Sequence, residues 1–161
     1  MVIDPPDLSR EYILIVDDEP DNLEVAQQTL ELLYNARVLA CASGAAALEK
    51  LTGDVTIILS DLMMPGMNGF ELLPKLRRQI SVPIIALTAA AMKHDKDEAL
   101  AAGFDGYIAK PFEADKLAAD IYTCITAIRA RCAQPATPLT SEALVGVIEL
   151  IATPPTNQPA A

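Results

Sequence analysis

The sequence predicts an α/β fold with a parallel sheet, and three observations carry that expectation. Short apolar runs of β character alternate with longer segments of helical period. The alternation repeats five times between Glu11 and about Arg131, and the runs are apolar without a break, as in strands covered on both faces. The 161 residues suit one domain plus an appendage, and a 52% hydrophobic composition can build a real core.

The strands, in order, are YILIV (Tyr12 to Val16), RVLAC (Arg37 to Cys41), VTIIL (Val55 to Leu59), PIIAL (Pro83 to Leu87) and GYIA (Gly106 to Ala109). In the first crossover Leu23, Ala26, Leu30 and Leu33 recur at helical spacing, which predicts a stripe in the core. The second crossover starts near Ser43, suited to an N-cap, and runs through Leu48 to Leu51. The third carries Phe70, Leu73 and Leu76, with Pro74 among them. A proline there lacks an N–H and crowds the preceding turn, so a kink or a late start is expected. The fourth covers about Ala90 to Ala102 and stops at Gly103, suited to a C-cap. The last helix runs from about Glu113 to Arg131, with Leu117, Ile121, Cys124 and Ile128 in period.

Residues 1–10 read as a flexible N-terminal segment, 11–132 as the domain, and 133–161 as a Pro-rich tail. Within the tail, a short helix over 141–152 would place Leu144, Ile148 and Ile151 on one face, able to dock on the domain, on a second copy or on another protein. A mobile tail is the other reading.

Composition excludes several classes. Twelve Lys and Arg against 22 Asp and Glu give a net charge of −10, which opposes nucleic acid phosphates and anionic lipid headgroups. Arg129 and Arg131 are the only basic residues beyond Thr126, so an attached DNA-binding module is not expected. Apolar stretches such as Ile84 to Met92 fall short of the roughly 20 residues that cross a bilayer. The N-terminus MVIDPPDLSR lacks the basic and apolar regions of a secretory signal, so the expected location is cytoplasmic. Cys41, Cys124 and Cys132 form an odd set without metal-ligand spacing and read as buried or incidental thiols.

In an open parallel sheet, ligands bind outside the carboxyl ends of the strands. Asp17, Asp18 and Glu19 follow the first strand, Ser60 and Asp61 the third, Thr88 the fourth and Lys110 the fifth. Any one aspartate could be only a helix cap. Three at the ends of two strands that may be neighbours would repel one another unless a cation neutralised them. With only oxygen donors and no His or Cys nearby, Mg2+ suits the set better than zinc. Such a site calls for an anionic oxygen ligand, and a phosphoryl group supplies it. Asp61 would act as nucleophile, while the metal, Thr88 and Lys110 stabilise the transferring oxygens.

The segments ILIVDDEPDN (Ile13 to Asn22), ILSDLMMPGMNGFELL (Ile58 to Leu73), PIIALTAAA (Pro83 to Ala91) and GFDGYIAKPF (Gly103 to Phe112) together resemble the response-regulator receiver domain of bacterial two-component signalling, over about Tyr12 to Arg131. The resemblance implies a flavodoxin-like, doubly wound five-stranded sheet in order 2-1-3-4-5, with helices on both faces. It implies that Asp61 accepts the phosphoryl group, that Asp17, Asp18, Asp61 and the Met63 carbonyl hold Mg2+, and that Thr88 and Lys110 contact the phosphoryl oxygens. Tyr107 would be the switch aromatic that moves inward as Thr88 is drawn to the phosphate. A cis bond between Lys110 and Pro111 is also implied.

The resemblance further implies a donor, either a sensor histidine kinase or a histidine phosphotransfer protein in a phosphorelay, and a downstream protein target reached through the fourth helix, fifth strand and fifth helix. A homodimer is left open. The chain is then not an ordinary enzyme, since it catalyses only its own phosphorylation and dephosphorylation. Met63 and Ala90 flank the path of an attacking water and cannot orient it, so slow self-dephosphorylation is expected. His94, among charged neighbours, reads as a solvated surface residue. Two alternatives stand beside this reading: a receiver segment of a hybrid histidine kinase, and an aspartyl-phosphate phosphatase. The second is disfavoured by Met63, where such enzymes normally carry a second Asp.

Overall fold

The computed structural model describes residues 6–89, 93–111 and 113–133, with the backbone alone for Lys93, Cys132 and Ala133. The expected helix over 141–152 and positions Ala90 and Phe112 lie outside the described residues. Five strands, β1 (Tyr12–Val16), β2 (Arg37–Cys41), β3 (Ile57–Asp61), β4 (Ile84–Thr88) and β5 (Gly106–Ala109), form one parallel sheet in order 2-1-3-4-5. Helices α1 (Pro20–Gln28), α2 (Gly44–Lys50), α3 (Gly69–Arg77), α4 (Lys93–Ala102) and α5 (Ala114–Ala133) make the crossovers and the closing segment. By compactness the chain divides into Met1–Ile128 and Arg129–Ala161. The first holds the whole sheet; the described residues of the second, 129–133, are helical.

Alternation along the strands sends side chains to two cores. Ile13, Ile15, Ile57, Leu59, Ile85, Leu87 and Ile108 pack in one core with Ala26, Leu30, Leu117, Ile121 and Ile125. Leu14, Val16, Ile58, Ile84 and Ala86 pack with Ala47, Leu72, Leu73, Leu76 and Ala99. The apolar strands are thus covered on both faces. β2, at the edge, is only partly buried until Cys41. Leu8 is fully buried in the first core, so the flexibility expected of residues 1–10 does not extend to it.

Two local expectations are corrected. Leu33 is 63% exposed, and Leu32 beside it is 76% exposed. The cause is a π-helical turn, Thr29–Leu33, that continues α1. It widens the turn and moves the last leucine off the buried stripe. Asn35, at φ 54°, and an Ala36 amide donating to the Leu30 carbonyl at 3.0 Å close that end. The second concerns Pro74, which does not delay α3. A reciprocal capping box, Asn68 Oδ1 accepting from the Glu71 amide at 2.9 Å and Glu71 Oε2 from the Asn68 amide at 3.0 Å, starts the helix at Gly69. Buried Leu72, Leu73 and Leu76 then hold α3 against the sheet despite one missing donor.

Ser43 caps α2 as expected, its hydroxyl accepting from the Ala46 amide at 3.1 Å. Gly103, at φ 113°, follows the last residue of α4.

Candidate functional site

Register places the acidic residues together. Val16 of β1 pairs with Ser60 of β3, so Asp17 and Asp61 end neighbouring strands. Thr88 ends β4 beside Ala109, and Lys110 follows at the end of β5. Asp17 is fully buried, Asp61 is 4% exposed and Thr88 is 2% exposed, whereas Asp18 is half-buried. Carboxylate oxygens of Asp17, Asp18 and Asp61 all lie within 4.8 Å of one another.

Each group is held by its own strand end. The Asp17 amide donates to the Cys41 carbonyl at 3.1 Å, extending the ladder past β1. Its Oδ1 accepts the Glu19 amide at 2.9 Å, and its Oδ2 accepts Asn22 Nδ2 at 3.3 Å. Asp61 Oδ1 accepts the Met63 amide at 3.2 Å. The Lys110 amide donates to the Thr88 carbonyl at 2.8 Å, which locks the backbone before the cis Lys110–Pro111 bond. From there the ammonium reaches inward to Asp17 Oδ2 at 2.6 Å and Asp61 Oδ2 at 3.0 Å.

Among the described side chains, three carboxylates share this edge with one ammonium. Burial pushes the Asp61 carboxyl above the usual carboxylate range; the bond from Lys110 and the Met63 amide only partly offset this, and Asp17 adds repulsion. Burial favours the neutral amine of Lys110, but hydrogen bonds to Asp17 and Asp61 outweigh it and hold the lysine above its ordinary value. Lys110 therefore stays charged while spread over two acids. The leftover negative charge, borne entirely by oxygen donors, fits a hard divalent cation of the Mg2+ type.

The sequence-predicted residues Asp17, Asp18, Asp61, Thr88 and Lys110 meet at this edge, and Met63 sits beside them through its amide, its side chain 75% exposed. Tyr107 is half-buried on β5, opposite Ala86. Ser60 is not directed at the carboxylates, since its hydroxyl donates to the Asp61 carbonyl at 3.2 Å. Glu19 is exposed, and only its amide serves the site. His94 is exposed on α4. A cleft of about 240 Å³ runs from Thr88 and Met63 to Asp95 and Glu98 of α4.

Two contributors were not singled out from sequence. Asn22 lies two residues past the Pro that opens α1, where a side chain can reach back to the strand end. Gly69 is the other: a Cβ there would stand 2.4 Å from the Asp61 carbonyl oxygen, so only glycine lets α3 start against the phosphoacceptor-candidate loop.

A doubly wound α/β protein with an acidic, lysine-bridged site at the carboxyl edge of its sheet is thereby defined. Comparison with known proteins makes this specific. Residues 13–122 match the response regulator receiver domain, and the chain belongs to that family. The response regulator SaeR of Staphylococcus aureus is 34% identical over 134 residues, which cover 83% of this chain and 58% of that relative. The chain thus spans little more than half the length of this curated relative. Among solved structures, the Vibrio cholerae chemotaxis protein CheY4 is 30% identical with a TM-score of 0.64, covering 71% of this chain and 98% of that one. A CheY-like receiver domain protein from Methanospirillum hungatei JF-1 is 28% identical with a TM-score of 0.63, covering 75% and 98%.

Membership in this family implies phosphorylation-dependent signalling in a two-component system. Receiver domains generally bind Mg2+ at an acidic pocket, here the Asp17, Asp18 and Asp61 cluster. Among the described residues, no helix is long and apolar enough to cross a membrane.

Proposed function

We propose that this receiver takes a phosphoryl group on Asp61 from a sensor histidine kinase or histidine phosphotransfer protein, and signals through a protein–protein surface. The observation that carries the reading is the seating of Lys110 between Asp17 and Asp61 at 2.6 and 3.0 Å, beside Thr88. Asp17, Asp18, Asp61 and the Met63 carbonyl would hold Mg2+. When bound, the cation neutralises charge on the donor's phosphate and on the transferring oxygens.

An Asp61 carboxylate oxygen attacks phosphorus in line; the bond from phosphorus to the donor nitrogen breaks, and its electron pair leaves with the imidazole. Lys110 favours the charged form of the attacking carboxylate against the push of burial and then takes a phosphoryl oxygen, with the Thr88 hydroxyl on another. The new dianion draws Thr88 toward it, and Tyr107 turns inward on the same face of the sheet. This biases an existing equilibrium rather than building a new fold. Residues 11–132 form the receiver unit in this reading, with 133–161 as an accessory tail and a homodimer as one form the signalling surface could take.

The test is incubation of the full chain with Mg2+ and acetyl phosphate, followed by intact mass. Wild type should gain one phosphoryl group and Asp61→Asn none. A wild type that stays unmodified with donor and metal in excess sinks the reading.

A further inference from the structure

The fourth helix is thinly attached. Among its described side chains only Ala99 is buried, whereas α3 buries Leu72, Leu73 and Leu76 and α5 buries Leu117, Ala118, Ile121, Ile125 and Ile128. An element with so little apolar contact rearranges at low cost. Among the described side chains Lys96 also ties it to the sheet, its Nζ standing 4.7 Å from the centroid of the Tyr107 ring. That is within cation–π range. Asp95, Asp97 and Glu98 flank this lysine in sequence, yet among the described residues it forms no ion pair and lies on the ring instead.

The backbone under Tyr107 is fixed. It is in register with Ala86, and its carbonyl lies 3.9 Å from Cys124 Sγ. The half-buried ring is the part of the residue left outside these backbone ties. Beside it Ala86 offers just a methyl, and Thr88 lies further along the same face of β4, bordering the cleft that α4 overhangs.

We propose that Lys96 is a positioning residue for Tyr107: its ammonium, seated on the ring, holds the tyrosine in the half-exposed orientation, and the ring must leave it to move toward Thr88. The inference rests on the switch role given to Tyr107 above. It makes Lys96 a setting for how much of the unphosphorylated protein already occupies the signalling conformation. Loss of one such contact should raise that minor population roughly 2- to 5-fold.

The experiment compares full-chain wild type, Lys96→Gln and Lys96→Arg, labelled with fluorotyrosine. The Tyr107 resonance is assigned by its loss in Tyr107→Phe. Solvent exposure of that fluorine is read, without phosphodonor, from its shift between light and heavy water. Lys96→Gln should lower the exposure and speed phosphate uptake from acetyl phosphate roughly 2- to 5-fold. Lys96→Arg, which keeps a cation on the ring, should match wild type, and Lys96→Gln should change nothing in a Tyr107→Ala background. Unchanged exposure in Lys96→Gln, or faster uptake that persists without Tyr107, overturns the proposal. Should wild type take no phosphate at all, the Asp61 reading fails by itself, and the exposure comparison still decides the role of Lys96.

Discussion

The two ends of the sheet are wired in opposite ways. At the amino end, Arg77 reaches from α3 to three acceptors: the Val82 carbonyl at 2.7 Å, the Gly103 carbonyl at 3.3 Å and Asp105 Oδ2, which also accepts the Ile84 amide at 2.9 Å. In this clamp one cation meets one anion, and the bonds tie α3, the start of β4 and the turn into β5. Nearby, the Thr56 hydroxyl donates to Glu11 Oε2 at 2.6 Å and accepts the Tyr12 amide at 2.9 Å. At the carboxyl end, three carboxylates face one ammonium. The Arg77 clamp is matched and holds the fold; the carboxyl end is mismatched, its Asp61 raised first by burial and further by Asp17, a cost that a bound cation would offset. Functional sites commonly sacrifice stability in this way.

The largest effect that should separate the ends is Asp61→Asn. Phosphate incorporation should vanish, while the fold, measured by thermal melting in chelator, should gain about 1 kcal/mol near neutral pH. The sign follows from the raised Asp61 value. A folded carboxyl that holds its proton more tightly than the unfolded one favours folding in acid. That contribution is lost as pH rises from the ordinary carboxylate range through the raised folded value. The melting gap between variant and wild type should therefore widen upward through that window; a gap that is flat with pH would contradict a mismatched site.

Arg77→Met should do the reverse. Removing the clamp leaves Asp105 and two carbonyls short of a donor, at a cost of roughly 1–2 kcal/mol once the pair's partial exposure is allowed for. Phosphate uptake on Asp61 should survive in the folded fraction, as urea titration and intact mass together would show. Between these lies Gly69→Ala, where the new methyl meets the Asp61 carbonyl. It should destabilise by about 1–3 kcal/mol and also slow uptake, because the strain falls on the loop that carries the site.

The comparison also explains what could be read from the residues alone. Strand identity and the acidic edge were legible, since apolar runs in parallel sheets and charged residues just past them obey local rules. Asp17, Asp18, Asp61, Thr88 and Lys110 are each the last residue of a strand or within two of it. Leu33 is not legible in the same way, because nothing in its spacing separates an ordinary turn from a π turn; the widening shows only when Asn35 and Ala36 close the end. For Pro74, the N-x-x-E signal at Asn68 and Glu71 upstream outranked the breaker. The Arg77–Asp105 clamp joins residues 28 apart in sequence, a long-range pairing without a periodic signature. Lys96 on Tyr107 is of the same kind: a contact set by how α4 lies on β5, invisible to any pattern along one helix.

The smallest expected effect lies at the mismatched end and concerns how long its charged state lasts. Met63 exposes most of its side chain beside the Asp61 carboxylate, with its amide already on Oδ1. A thioether there shields one approach to phosphorus and offers water no strong acceptor. Met63→Asn keeps the amide contact and adds a group that can orient a water. Dephosphorylation, followed by intact mass after removal of donor, should quicken a few-fold, corresponding to about 1 kcal/mol in the barrier. Folding stability should hardly change, because the side chain packs little. Equal decay rates for the two proteins would mean that water reaches the acyl phosphate by another path, and that exposure at residue 63 has no bearing on signal lifetime.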